Sequence, residues 1–245
     1  AYGSQTGLLN AGTGTSSVAV AVAISGLQPL TRYHYRLVAV SGAGLVDNGS
    51  DHSFTTSAIP LSLAILAAPS PVAYGGTIVV DGTLSGTGNA NKVVTLQADP
   101  FGSPAGFQPI GNPELTNAVG GFSFPVLGLT ATTAFRVVSS TKPAIVSPVT
   151  VAQVAIIVSA HIGRSGRAHH VRVFGTVTPA ENGARVGILR EVHGHGIPVA
   201  GATLVPDGPA HSSFSKAVRA VPGLYRVLVV VPAGAVISSY GPPLV

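Results

Sequence analysis

The chain has no cysteine, no methionine and no tryptophan, and only 9% of its 245 residues are charged. Without cysteine there is no disulfide framework, no thiolate nucleophile and no thiolate metal site, so stability must come from packing. Methionine is absent even as an initiator, and no basic n-region leads into an apolar h-region, so the sequence reads as an internal or processed segment. No apolar run reaches the roughly 18 residues that a membrane-spanning helix needs. Nor does any segment space its apolar residues with a helical period of 3.6. The sparse charge leaves a surface of Ser, Thr, Gly and Ala, which suits a secreted protein or a packed assembly better than a crowded cytosol.

What is present is apolar residues at 46%, punctuated by 31 Gly and 19 Pro. The length suits two or three domains of about 100 residues each. In Ser25-Gly-Leu-Gln-Pro-Leu-Thr-Arg-Tyr-His-Tyr-Arg-Leu-Val-Ala-Val40, Gly26 and Pro29 mark a turn. Beyond it Tyr33, Tyr35 and Leu37 alternate with Arg32, His34 and Arg36, the period-2 pattern of a half-buried strand. Upstream, Ser17-Val-Ala-Val-Ala-Val-Ala-Ile24 puts Val18, Val20, Val22 and Ile24 on one face of an expected strand and three alanines on the other.

The pattern Leu27-x-Pro29-x-Thr31-x-Tyr33-x-Tyr35, with the loop Ser41-Gly-Ala-Gly44 and the closing strand at 51–56, resembles the later part of a fibronectin type III domain over residues 2–56. The resemblance implies a tyrosine corner: the Tyr33 ring in the core and its hydroxyl bonded to the chain upstream, with Leu27, Pro29, Tyr33 and Tyr35 together forming the structural core of the corner. A complete domain of that family takes about 90 to 100 residues. The 56 residues before the Ser57–Pro60 linker lack its first strands. Val18, Val20, Val22, Ile24, Tyr33 and Tyr35 are therefore expected to be covered by a segment not their own, either upstream sequence or strands donated by a neighbouring copy, or else to lie exposed.

From Leu61, strands are expected at 61–66, 77–84, 92–98, 107–110, 121–127, 133–139 and 146–152. From Gln153, a second set is expected near 154–159, 170–178, 184–191, 197–205, 213–219, 224–231 and 236–244. Seven short strands per set, with Gly/Asn/Pro turns, argue for β-sandwiches. The two sets also align with each other. Val80-Asp-Gly-Thr-Leu84 parallels Val173-Phe-Gly-Thr-Val177, Phe122-Ser-Phe124 parallels Phe214-Ser-Lys216, and Phe135-Arg-Val-Val138 parallels Tyr225-Arg-Val-Leu228. They resemble the Ig-like repeats of large secreted bacterial surface proteins. The expected organisation is thus all-β, tandem Ig-like/fibronectin type III β-sandwiches: 1–57 a partial fibronectin-like module, 58–152 a sandwich, and 153–245 its repeat.

Sites for chemistry are sparse. His193 and His195, with His169 and His170, have the residue type of metal ligands, but no carboxylate is placed to orient them, and Gly194 and Gly196 read as loop. Asp51-His52-Ser53 puts acid, base and hydroxyl next to one another in sequence, where strand alternation sends neighbours to opposite faces. The eight acids are dispersed, so a paired-carboxylate hydrolase has no basis. The Gly-rich run 82–88 precedes no helix and cannot cradle a phosphate as helix-linked loops do. Tyr74, Phe101, Phe107 and Tyr240 are the candidates for sugar stacking, and Asn48-Gly-Ser50 fits a glycosylation acceptor. No catalytic residue, cofactor or metal is assigned.

The net charge of +5 arises beyond residue 150, where eight basic side chains face three acids. These cations are scattered singly along the sequence, which suits a solvated face or contact with an acidic cell-surface polymer. The expectation is a non-enzymatic, extracellular structural or adhesive protein of the cell surface. It would be a filament or layer subunit with inter-subunit strand complementation, meeting copies of itself or other surface proteins, with no nucleic acid and no membrane span. The rival is an accessory region of a secreted polysaccharide-degrading enzyme.

Overall fold

Every regular element of the structure, a computed structural model that describes residues 2–245, is a β-strand. Ala1, which opens the first expected module, lies outside the described residues. No helix is long and apolar enough to cross a membrane. The chain separates into two compact units, one holding residues up to Leu61 with Gly86–Gly88, the other holding Ser62–Ser85 and Asn89–Val245.

The first unit is one broken hairpin and the segments draped on it. Arg32–Tyr35 pairs antiparallel with His52–Thr55, and Val38–Val40 pairs with Val46–Asn48. The single long strand expected through residue 40 is interrupted at Arg36 and Leu37, where the Gly49 N–H donates to the Leu37 carbonyl at 2.9 Å. Residues 17–24 keep their alternating pattern but form no strand. The expectation of a strand there is corrected: a strand exists only through a hydrogen-bonded neighbour, and the first unit offers these residues none.

The larger unit contains two sandwiches. In the first, Gly76–Ser85 lies between Ser62–Ala68 and Gly121–Leu129, and the facing sheet runs Glu114–Leu115, Val93–Pro100, Thr133–Ser139, Thr150–Ala152. In the second, Ile157–Arg164, His170–Thr178, Ser212–Arg219 and Val205–Pro206 make one sheet, while His195–Thr203, Arg185–Val192, Tyr225–Val230 and Ser239–Tyr240 make the other. Ile78, Val80 and Leu84 fill the first core against Leu96 and Phe135, and Val173 and Val177 fill the second against Ile188 and Val227. Each such side chain contributes about 1.5–3 kcal/mol on burial.

The repeat is visible in the pairing. Gly82 lies opposite Ile65 on one side and Phe122 on the other, and Gly175 lies opposite Ala160 and Phe214 in the same way. Both positions need glycine for space: a Cβ on Gly82 would strike the Phe122 ring and the Ala64 carbonyl, and one on Gly175 the Ser159 carbonyl.

Several expected strands are shorter in the structure. Residues 146–152 reduce to Thr150–Ala152, because Pro148 cannot donate to a ladder. Residues 236–244 reduce to Ser239–Tyr240 plus isolated bridges. His193 and Gly194 are the two residues of a tight hairpin turn, both with positive φ (51° and 78°), between Val192 and its partner His195. The expected loose loop is thus a primed hairpin turn of the kind that a residue followed by Gly supports.

Candidate interaction surfaces

At the sequence-predicted corner, Leu27 and Pro29 are half-buried. The Gln28 N–H donates to the Tyr33 hydroxyl at 2.8 Å, and the Thr56 hydroxyl donates to the Gln28 carbonyl at 2.6 Å. The Tyr33 ring stacks on Phe54 with centroids 5.9 Å apart, and Phe54 meets Tyr35 edge-on at 6.0 Å. Yet Tyr35 is 48% exposed, and no residue from 2 to 62 is buried. Val18 and Ile24 are likewise exposed, by 57% and 55%.

A second corner was not read from the sequence. The hydroxyl of Tyr225 donates to the Val221 carbonyl at 2.7 Å while its ring is almost wholly buried. The signal was present, since Pro222-Gly223 places a turn just before an aromatic that opens an alternating strand. Phe135 holds the corresponding place in the first sandwich, fully buried and without a hydroxyl.

Asp51 is the most connected acid of the first unit. It accepts from the Tyr2 hydroxyl at 2.6 Å and pairs with His34 Nδ1 at 2.7 Å. The Tyr2 hydrogen bond, and then that of His34, hold its carboxyl below the usual carboxylate range, and the same bond raises the Tyr2 hydroxyl. Asp51 therefore turns to His34 and not to its sequence neighbour His52, which packs against Tyr35. Ser53 accepts from Arg32 Nε and Nη2 at 3.2 and 3.0 Å. Acid, base and hydroxyl are not in line for nucleophilic attack. Among the described residues, no three His, Cys, Asp or Glu side chains converge as metal ligands. His193 caps a turn, His195 opens a strand, and His170 Nδ1 lies 2.8 Å from the Ala168 carbonyl.

Of the stacking candidates, Phe101 and Tyr240 are exposed and Tyr74 is half-buried, while Phe107 lies beneath the Arg136 guanidinium at 4.3 Å. Asn48 ends an exposed strand. Glu181, beside the second sandwich, is raised from its usual range by burial.

The outer face of the second sandwich forms no motif in the sequence, because its side chains come from three separate strands. Along His170–Thr178, Val173, Gly175 and Val177 are buried, so Arg172, Phe174 and Thr176 point outward. Phe174 stands opposite His161 on one side and Ser215 on the other. The Arg172 guanidinium lies 4.7 Å from the Phe174 ring centre, its Nε donates to Ser215 Oγ at 2.8 Å, and the His161 ring is 5.7 Å from Phe174. The period-2 rule applied to Val173 and Val177 would have turned Phe174 outward.

Together the paired sheets define an all-β protein of tandem β-sandwich repeats. The sequence matches no protein-family model and no curated protein. Among solved structures it is similar to a tetra-tandem repeat in the extending region of a large adhesion protein, at 13% identity and a TM-score of 0.33. The match covers 87% of this chain and 56% of that one.

Proposed function

We propose that this chain is a non-enzymatic structural or adhesive protein of the extracellular surface, and that its open first unit is an assembly face completed by a β-strand from another copy. The observation that carries this reading is the unfilled face itself. Val18, Val20, Val22 and Ile24 are all more than 40% exposed, in a stretch whose backbone has no ladder partner, and Tyr35 is exposed as well. Unpaired N–H and C=O groups with an apolar face are a template for strand addition. The absence of cysteine and the low charge agree with packing into a layer or filament.

Sedimentation of the chain over a concentration series, with electron micrographs of the densest samples, tests this. Ordered oligomers or filaments that disappear when Val20 and Val22 are changed to Asp support the reading. A monomer at every concentration contradicts it.

A further inference from the structure

The outer face of the second sandwich carries a chemistry that its fold does not require. We propose that this face binds an acidic polysaccharide, whose carboxylates are held by Arg172 and Arg219. The proposal deepens the adhesive part of the function proposed above by naming a ligand class, and it does not depend on assembly through the first unit.

The cations that looked scattered in sequence are gathered by antiparallel pairing. Arg164 ends one strand, Arg167 and His169 lie in the connection that follows, and His170, which opens the next strand, stands opposite Arg219. Arg172 is one outward position further along. None of the three strands Ile157–Arg164, His170–Thr178 and Ser212–Arg219 contains an acid. The face is therefore electropositive at one end, and beyond Phe174 it continues as a row of hydroxyls from Ser159, Thr176 and Ser213.

Arg172 is built to receive a carboxylate. Its guanidinium carbon sits over the Phe174 ring and its Nε donates to Ser215, which leaves both terminal nitrogens of an exposed side chain free for a two-point contact. Holding the guanidinium in place beforehand lowers the ordering cost of binding.

The first sandwich serves as an internal control. Its copy of this sheet puts Asp81 where the second has Phe174, Val79 where it has Arg172, and Leu66 where it has His161. Ser123 and Ser215 correspond. The same sheet thus forms without an aromatic or a cation at these points, and core packing does not explain them.

The charge density favours a polysaccharide over nucleic acid. Two guanidiniums and flanking imidazoles match a polyuronate, which sets its single carboxylates a whole sugar ring apart with hydroxyls between. A nucleic acid presents about one phosphate per 3.4 Å of each strand and needs a denser basic track.

The experiment is binding of the whole chain to immobilised polygalacturonate, with dextran as the uncharged control and duplex and single-stranded DNA as competitors. Binding is expected to fall steeply between about 50 mM and about 200 mM salt, and dextran should not bind. Arg172→Gln with Arg219→Gln should weaken binding about tenfold or more, as expected for lost charge-assisted contacts. Phe174→Asp, which installs the residue the first sandwich carries there, should weaken binding while leaving the thermal midpoint near that of the parent. Arg136→Gln, in the first sandwich, should leave binding unchanged. Unaltered binding by the Arg172, Arg219 and Phe174 variants overturns the site. DNA that binds more tightly than polygalacturonate, through the same residues, overturns the ligand class. Either failure leaves the assembly reading of the first unit untouched.

Discussion

The hydroxyl of Tyr225 donates to the Val221 carbonyl 2.7 Å away, from a ring that fills the second core. Tyr225→Phe keeps the ring and strands a part-buried carbonyl, so it should cost about 1–2 kcal/mol in denaturant unfolding. Tyr225→Ala also opens a cavity and should cost about 3–5 kcal/mol. Phe135→Tyr, at the corresponding place in the first sandwich, should yield no gain. Equal costs for the Phe and Ala variants would show that the hydroxyl carries the whole effect.

Gly175 faces the Ser159 carbonyl so closely that no Cβ fits, whereas at Gly187 the nearest atom to an added Cβ is the Leu228 carbonyl oxygen at 3.8 Å. Gly175→Ala should therefore destabilise by about 1–3 kcal/mol through overpacking. Gly187→Ala, on the neighbouring sheet, should stay within about 1 kcal/mol of the parent. Matched thermal melts of the two variants decide the point.

The two sandwiches are joined without a free linker. Val72 N–H donates to Gln153 O at 2.9 Å, Tyr74 N–H to Ala155 O at 2.8 Å, and Ile237 N–H to Val154 O at 2.8 Å. Val154 and Ile156 are buried at this junction. Ile156→Ala should cost about 2–5 kcal/mol and speed native-state hydrogen exchange at Leu96 in one core and at Ile188 in the other. Faster exchange in one sandwich alone would show that they unfold independently.

Asp51 gives a pH dependence of known sign. Its folded carboxyl is depressed, first by the Tyr2 hydroxyl and then by His34. The stabilisation is accordingly present above the ordinary Asp value and is lost as pH falls through the lower, folded one. In an NMR titration the Asp51 midpoint should lie below that of a free Asp and move upward in Tyr2→Phe. A midpoint at the ordinary value with Tyr2 intact would contradict the hydrogen bond.

Most strands of the two sandwiches were legible because alternation and turn chemistry are local. Val80-Asp-Gly-Thr-Leu84 and its copy at Val173 declare one strand with a glycine that the neighbouring backbone requires. What local pattern could not supply was pairing. Residues 17–24 alternate as cleanly as any strand in the chain, yet a strand needs a neighbour and none is present. The basic face escaped notice for the same reason: His161, Arg172, Ser215 and Arg219 are far apart in sequence and meet only through the register of three strands. His193 and His195 have the residue type of metal ligands, but positive φ at His193 and Gly194 makes the first a turn residue, while the second opens a strand.

Hydrogen exchange of residues 17–24 tests most directly whether the open first unit is an assembly face. In dilute monomer these amides should exchange at the rate of an unstructured chain, while amides of Gly76–Ser85 and His170–Thr178 remain protected. In assembled material residues 17–24 should become protected while the sandwich strands stay unchanged. Protection already present in the monomer, or none in the assembly, would contradict the account.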